Sequence, residues 1–228
     1  SADDHAVERA MVGDSVQFAT FNESNPKQIP TEIWASSQAL VTGITMPIDK
    51  DVIALLSSCK IITRLGVGYD LIDIRAAGAA GIVVCNVPDY GTNEVADHAI
   101  ALLLSFTRGV PQYTEAYREN PDKGWDYKIT PAMTRMTGKY FGVIGLGRIG
   151  TAAAMRAKGF GMNVIAYDPF VPYGQELALN VERAYNLDQL LAAADFISIH
   201  TPATDLTHHL INHETVSKMK PGVILINT

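Results

Sequence analysis

Short apolar runs rich in β-branched residues alternate with helical patterns along most of this 228-residue chain. The predicted strands are "SVQFATF", "ALVTGIT", "KIITRLG", "IVVCNVP", "KYFGVIG", "NVIAYD", "VERA", "FISIH" and "GVILINT". Helical segments separate most of them, and a strand–helix–strand step of this kind joins parallel strands of one sheet. The alternation therefore predicts an α/β fold in which helices cover parallel sheets.

A long helical pattern followed by an aperiodic stretch divides the chain. "TNEVADHAIALLLSFTRGVPQYTEAY" predicts one long helix or two in series, with a kink or break at Gly109–Pro111. "PDKGWDYKITPAMTRMTG" has no period and is rich in turn residues. We therefore predict two Rossmann-like domains, residues 1–106 and 107–228, each with its own parallel sheet. The first domain lacks the strand that normally precedes its first helix.

A glycine-rich turn, Gly145-x-Gly147-x-x-Gly150, follows a predicted strand and opens a predicted helix. The next strand ends in Asp168, 18 residues after Gly150. In this context the first glycine permits the turn, the second admits a pyrophosphate, and the third lets the helix pack on the strand. The helix N-terminus then offers free N–H groups at Gly147–Ile149. A tight turn without a ligand is the structural alternative.

An acidic residue at the end of the second strand indicates which dinucleotide would bind. Asp168 would accept hydrogen bonds from the ribose hydroxyls and would repel a 2′-phosphate. The next residues, "PFVPYG", supply no arginine for such a phosphate. The sequence therefore favours NAD over NADP.

Composition excludes several other classes of protein. The net charge is −6 and no basic block is present, which argues against a nucleic-acid partner. The longest apolar stretch, "AIALLLSF", is too short to span a bilayer. Cys59 and Cys85 are expected to be free, buried thiols in a reducing cytoplasm. His208, His209 and His213 lack the cysteines or carboxylates of a metal site, so no metal is predicted.

Further motifs carry a resemblance to a known family. These are "RLGVGYDLID", "GIVVCNVPDYGTNEVADHAIALLL", "GVIGLGRIG", "YDP", "HTPAT", "HHLIN" and "MKPGVILINT". In this order and spacing the chain resembles the D-isomer-specific 2-hydroxyacid dehydrogenases. Within them it looks most like the branch of the C-terminal binding proteins and their bacterial relatives. One departure is Leu71, where the family commonly has Asn.

The resemblance implies a flavodoxin-like substrate domain, an NAD-binding Rossmann domain and a homodimer formed through the cofactor domain. It implies that Gly66, Val67 and Gly68 bind the substrate carboxylate, while Arg64 either orients this loop or pairs with a carboxylate. His200 is expected to be structural or adjacent to the cofactor rather than catalytic. The implied cofactor-binding residues are Val67, Val95, Gly145, Gly147, Arg148, Ile149, Gly150, Asp168, His200, Thr201, Pro202, Thr207, Asn227 and Thr228.

The family reaction needs an Arg that holds the substrate carboxylate, a His that transfers the proton, and a Glu that orients the His. By resemblance all three map beyond Thr228. We therefore expect no catalytic residue within the chain, and a fragment, truncated at both ends, that is inactive by itself. The intact protein is expected to be an NAD-dependent dehydrogenase that interconverts a D-2-hydroxy acid and a 2-oxo acid. The alternatives are an NAD(H)-sensing binding protein of the corepressor type and a non-catalytic NAD-binding scaffold.

The aperiodic stretch carries large side chains that suggest a contact surface. Trp125, Tyr127, Ile129, Met133 and Met136 show no periodic core face, which predicts an exposed arm used in dimer contacts.

Overall fold

The computed structural model describes residues 6–123, 126, 128–130 and 133–228. It divides into two compact units, the first ending at Pro88 and the second beginning at Asp89. Each unit contains its own parallel sheet. The predicted α/β class with two separate parallel sheets is confirmed.

Unit 1 contains three parallel strands in the order β1-β2-β3. Their bounds are Ala39–Thr42 (β1), Ile61–Arg64 (β2) and Val83–Asn86 (β3). The helices are α1 (Ala6–Val12), α2 (Thr31–Ser36), α3 (Lys50–Leu55) and α4 (Ile74–Ala79). The buried core of this unit includes Trp34, Ile48 and Ile62. The side chains of Asp49 and Asp73 accept backbone N–H groups and so fix the starts of α3 and α4.

The strand predicted in "SVQFATF" does not form. Residues 16–25 are irregular, and the apolar side chains of Val16 and Phe21 are exposed. The guanidinium of Arg9 lies 4.7 Å from the centre of the Phe18 ring, which holds that side chain locally. An alternating pattern becomes a strand only where a neighbouring strand accepts its hydrogen bonds, and the described sheet supplies none here.

Unit 2 contains five parallel strands in the order β6-β5-β4-β7-β8. Their bounds are Tyr140–Ile144 (β4), Asn163–Tyr167 (β5), Glu182–Arg183 (β6), Phe196–Ile199 (β7) and Ile224–Asn227 (β8). The chain starts at β4, adds strands on one side, and then adds β7 and β8 on the other. The order therefore reverses between β4 and β7, and ligands of such sheets bind at the carboxyl ends of the strands at this point.

The helices of unit 2 cover both faces of this sheet. Their bounds are Thr92–Arg108 (α5), Val110–Glu119 (α6), Arg148–Gly159 (α7), Gln175–Leu179 (α8), Leu187–Ala193 (α9) and His213–Ser217 (α10). Phe141 and Val143 of β4 face the core that contains α5 and α7. Ile144 faces the opposite core, which contains α9. This two-sided burial explains why the strands read as continuous apolar runs.

The division between the units differs from the predicted boundary at residue 106. Ala96, Ala99, Ile100 and Leu103 form the buried face of α5 and pack in the same core as α7. The whole of α5 therefore belongs to unit 2, and the division falls after Pro88. The helical pattern alone could not show which core this apolar face would join.

The predicted helix break lies at Gly109. This residue has φ +63°, and α6 starts immediately after it. A Cβ atom at Gly109 would come within 2.3 Å of the Thr130 side chain, so a larger residue would collide there as well as being strained. The helical pattern therefore forms two helices in series.

The arm after α6 is more buried than predicted. Trp125 and Tyr127 lie outside the described residues. Ile129, Met133 and Met136 are half-buried. Met136 packs against the unit 2 core and its sulfur lies 3.4 Å from the Thr107 hydroxyl. The core thus covers part of the surface that the sequence assigned to a partner.

Both cysteines are free, but only Cys59 is buried, whereas Cys85 at the end of β3 is exposed. The expectation of two buried thiols is therefore wrong for Cys85. Among the described helices, none combines the length and the apolar composition that a membrane crossing requires.

Candidate functional site

The glycine turn joins β4 to α7 at the carboxyl edge of the unit 2 sheet. Gly145 has φ +92°, and its N–H donates to the carbonyl of Tyr167 at 2.9 Å. A Cβ atom at Gly145 would lie 2.7 Å from the carbonyl oxygen of His200. The position therefore requires glycine both for its backbone conformation and for the approach of the neighbouring strand.

Gly150 sits where α7 presses against this turn. A Cβ atom there would lie 1.9 Å from the carbonyl oxygen of Gly145, a distance that no relaxation of a side chain can relieve. Ala153, Ala154 and Ala157 continue the close contact and are fully buried. These small residues let α7 approach the sheet closely enough to direct its N-terminus at the turn.

Gly147 is different from its two partners because nothing lies within 4 Å of the place a Cβ would occupy. The residue is exposed and caps α7 without a side-chain hydrogen bond. The N–H groups of the first helical turn have no partner within the helix, and the helix dipole makes this end positive. Gly147 thus leaves an open approach to backbone donors, which is what a pyrophosphate needs.

Asp168 is held beside the turn by both of its carboxylate oxygens. One accepts the N–H of Leu146 at 2.8 Å, and the other accepts the N–H of Phe170 at 2.8 Å. Each carboxylate oxygen has a further lone pair for another donor. The half-buried carboxylate is therefore both fixed in position and able to accept from a ligand.

An arginine that the sequence analysis overlooked reaches the segment after Asp168. The guanidinium of Arg183 donates to the carbonyls of Val171 at 2.8 Å and Pro172 at 3.4 Å. It also donates to Glu176 at 2.8 Å and lies over the ring of Tyr173. These contacts occupy the guanidinium with protein groups.

His200 directly follows β7, next to β4 at the point where the strand order reverses. Its backbone N–H donates to the carbonyl of Ile144 at 2.8 Å. In its half-buried ring, Nε2 lies 2.8 Å from the hydroxyl of Ser198. Burial lowers the pKa of His200 from 6.5 to about 4, so the ring is neutral at physiological pH.

The loop after His200 is closed by hydrogen bonds of Thr207. The Thr207 hydroxyl donates to the carbonyl of Pro202 at 2.6 Å and accepts the N–H of Thr204 at 2.9 Å. The Thr201 methyl group lies against the turn, 3.1 Å from the position of a Cβ at Gly145. The turn, Asp168, His200 and Thr201 are thus brought together at one edge of the sheet.

The remaining cofactor candidates of unit 2 contribute less to this cluster. Val95 is half-buried in the first turn of α5. Asn227 and Thr228 are exposed at the end of β8, where Asn227 pairs in register with Ile199. Arg148 is exposed and Ile149 is half-buried at the start of α7.

The candidate substrate loop lies in unit 1, directly after β2. The carbonyl of Gly66 accepts the N–H of Val87 at 3.0 Å, and the carbonyl of Val67 accepts the Asn86 side chain at 2.8 Å. Within the described part of the chain, the N–H groups of Val67 and Gly68 donate to no acceptor. The loop is therefore held by its carbonyls, and its N–H groups remain available for an anion.

Arg64 is 8% exposed and lies under this loop. Its guanidinium donates to the carbonyl of Leu65 at 2.7 Å, and a Cβ at Gly66 would come within 2.6 Å of Nη1. It forms no ion pair among the described residues, and its Nε has no partner there. Of the two roles left open by the sequence, the contacts favour orientation of the loop over pairing with a carboxylate of the protein.

Comparison with known proteins identifies the family. Residues 100–228 match the family described as "D-isomer specific 2-hydroxyacid dehydrogenase, NAD binding domain". The chain belongs to this family.

The similarity to members of this dehydrogenase family extends over most of the chain. The D-3-phosphoglycerate dehydrogenase of Mycobacterium tuberculosis is 38% identical over 218 residues, which are 96% of this chain and 40% of that protein. The enzyme of the same name from Methanocaldococcus jannaschii is 39% identical over 84% of this chain and 36% of its own length. The crystal structure of D-lactate dehydrogenase from Aquifex aeolicus, in complex with NAD and lactic acid, matches with a TM-score of 0.89 at 28% identity, covering 99% of this chain and 66% of that one. This chain thus spans about 40% of the length of the curated relatives.

Sequence reasoning missed three residues of the NAD-binding domain that support the cluster. Ser198 contacts the His200 ring, and Leu146 donates its N–H to Asp168. The amide of Gln175 donates to the Leu146 carbonyl at 3.3 Å. The two-residue period of a strand places Ser198 on the same face as His200, so this contact was foreseeable. The contact of Gln175 could not be predicted from a local pattern, because it joins the first residue of α8 to a residue 29 positions earlier in the chain.

The glycines of the turn should separate stability from cofactor binding. Replacing Gly150 with Ala should lower the free energy of unfolding by at least about 2 kcal/mol, because a methyl group would collide with backbone. Replacing Gly147 with Ala should change the free energy of unfolding by less than about 1 kcal/mol. It should nevertheless lower the affinity for NAD about tenfold or more, because the added methyl group fills the open approach. Urea unfolding and isothermal titration calorimetry measure the two effects.

Gly159→Ala provides the matched control, because this glycine ends the same helix and has nothing within 4 Å of its Cβ position. Its stability and NAD affinity should stay near those of the wild type. Unchanged NAD binding by a folded Gly147→Ala protein would contradict the assignment of this turn.

The buried His200 should make unit 2 less stable in mild acid. Its folded-state pKa of about 4 lies below the unfolded value, so the unfolded state takes up the proton first as the pH falls. The stability is full above about pH 6.5 and decreases towards pH 4, by on the order of 2 kcal/mol after allowance for partial exposure. Denaturant unfolding between about pH 7 and about pH 5 measures the loss. A His200→Gln variant with the same slope would show that another group is responsible.

Proposed function

We propose that this chain provides the NAD-binding part and the substrate-binding part of a dehydrogenase that interconverts a D-2-hydroxy acid and a 2-oxo acid. The observation that carries the proposal is the open approach at Gly147, at the carboxyl edge of a sheet whose order reverses there. Membership of the dehydrogenase family supports the reaction type.

The residues at the turn fit an NAD molecule. The pyrophosphate would rest on the N–H groups of Gly147–Ile149, and Asp168 would accept the ribose hydroxyls. A 2′-phosphate would meet the same carboxylate, and Arg183 is engaged by Glu176 and two carbonyls. These contacts favour NAD over NADP.

NAD supplies the hydride acceptor, or in reverse the donor, of the reaction. For the chain's own residues we propose that the N–H groups of Val67 and Gly68 bind the substrate carboxylate. The buried Arg64 keeps the loop in shape through the Leu65 carbonyl. A bound carboxylate that is held by fixed donors orients the carbon that exchanges the hydride.

None of the residues assigned here transfers the substrate proton. His200 is neutral, its Nε2 is in contact with Ser198, and its pKa of about 4 is too low for an efficient acid or base near pH 7. The Arg, His and Glu of the family reaction are proposed to follow residue 228 in a protein that continues as the longer relatives do.

Asp168→Ala should narrow the preference for NAD over NADP. Loss of the carboxylate removes the hydrogen-bond acceptor for the ribose and also the repulsion of a 2′-phosphate. The affinity for NAD should therefore fall about tenfold, while the affinity for NADP should fall less. The substitution also leaves the N–H of Leu146 without its acceptor. If this loss distorted the turn, the affinities for both cofactors would fall equally. The quantity to measure by calorimetric titration is therefore the ratio of the affinity for NAD to the affinity for NADP. Asp188→Ala, which removes only a surface partner of Lys218, is the control. An unchanged ratio would count against the role of Asp168.

An activity assay tests the reaction itself. The intact protein should oxidise NADH with one of glyoxylate, pyruvate or hydroxypyruvate, or reduce NAD with D-lactate or D-3-phosphoglycerate. The chain limited to residues 1–228 should bind NADH but turn over none of them. NADH absorbance follows both proteins. Binding without turnover by the intact protein would favour the corepressor-type or scaffold reading, and turnover by the short chain would show that the proton-transfer group lies within it.

We also propose a homodimer formed through unit 2. Support comes from the family resemblance and from exposed apolar side chains on α5 and α6, namely Phe106, Val110 and Tyr117. Light scattering at micromolar concentration should give twice the monomer mass, and Val110→Asp should shift it towards the monomer. Leu177→Asp, at an apolar residue elsewhere that is even more exposed, should not. A monomeric intact protein would contradict the proposal.

We place the protein in the cytoplasm, because an exposed free thiol such as Cys85 is typical of a reducing compartment. Fractionation of cells that express the protein would check this location.

A further inference from the structure

Ser198 is a polar residue in an apolar layer. It lies in the middle of β7, is fully buried, and pairs in register with Val143 on one side and Ile226 on the other. Its hydroxyl has one partner within the described residues, Nε2 of His200 at 2.8 Å. A buried hydroxyl whose proton finds no acceptor costs as much as a lost hydrogen bond.

This single contact distinguishes the two neutral forms of the His200 ring. If Nε2 carried the ring proton, it would donate to the Ser198 oxygen, and the hydroxyl proton would have no acceptor in the buried layer. If Nε2 is unprotonated, the hydroxyl donates to it and both groups are satisfied. We infer that Ser198 fixes the tautomer of His200, placing the ring proton on Nδ1.

The consequence concerns what His200 can offer to a ligand. Its backbone is anchored to Ile144, and its carbonyl lies against Gly145, so the residue is part of the wall of the turn. With Nε2 occupied by Ser198, Nδ1 remains as an N–H donor that carries no charge. Resting on the proposed NAD function, this makes Ser198 a positioning residue that acts through His200 on the bound cofactor.

The ring nitrogens can be observed directly in the protein without cofactor. Long-range ¹⁵N–¹H correlation spectra of histidine-labelled protein distinguish a protonated from an unprotonated nitrogen, and a His200→Gln variant identifies the signals of His200. The wild type near pH 7 should show the proton on Nδ1. A ring with the proton on Nε2 would overturn the inference, and this measurement needs no variant at Ser198 to fold.

Substitutions then test the cause. Ser198→Ala should move the ring proton of His200 to Nε2. The affinity for NADH should fall about threefold to tenfold, which is the effect of one misplaced neutral hydrogen bond. Ser198→Thr, which keeps the hydroxyl, should restore the wild-type ring signals. Ser217→Ala removes an exposed hydroxyl that donates to the Glu214 carbonyl, and should change neither readout.

The outcomes separate this inference from the proposed function. A Ser198→Ala protein that retains the proton on Nδ1 would overturn the role of Ser198. Failure of the wild type to bind NADH in calorimetry would refute the cofactor assignment, while the ring signals would still establish or reject the tautomer.

Discussion

The close approach of α7 to the turn that precedes it sets the geometry of the cluster at the carboxyl edge of the unit 2 sheet. Because Gly150 has no Cβ, the helix can lie against the carbonyl of Gly145. The alanines that follow keep α7 close to the sheet and to α5, which shares its core. A side chain at Gly150 would push α7 away from the sheet. The N-terminus of α7 would then be misplaced relative to the sheet edge, and the buried face of α5 would lose its packing contact with α7.

Three strand ends are tied to each other around that turn. Gly145 donates to the end of β5, Leu146 donates to Asp168, and His200 donates to the end of β4. These hydrogen bonds link the ends of β5, β4 and β7 without any ligand. A site that is already ordered loses little conformational entropy when a ligand binds, so its contacts contribute more fully to affinity.

Local patterns predicted much of this arrangement. The alternation of strands and helices, the glycine spacing and the position of Asp168 are all confined to short windows, and each follows from backbone sterics or from the period of one element. Several predictions failed because they depend on which segments of the chain pack against each other. "SVQFATF" alternates like a strand but lacks a neighbour, Met136 reads as exposed but is covered by the core, and α5 was divided from the core that it completes.

The sequence by itself determined the class of fold, the separation into two parallel sheets and the turn at residues 145–150, because periodicity and glycine stereochemistry act over a few residues. Only the tertiary structure decided that Gly147 opens to solvent while Gly145 and Gly150 are closed by backbone, since those distances involve segments far apart in the chain. It also decided that the guanidinium of Arg183 is bound by Glu176 and that the hydroxyl of Ser198 contacts the His200 ring. Burial and hydrogen-bond satisfaction depend on which segments meet, and a linear pattern does not contain that information.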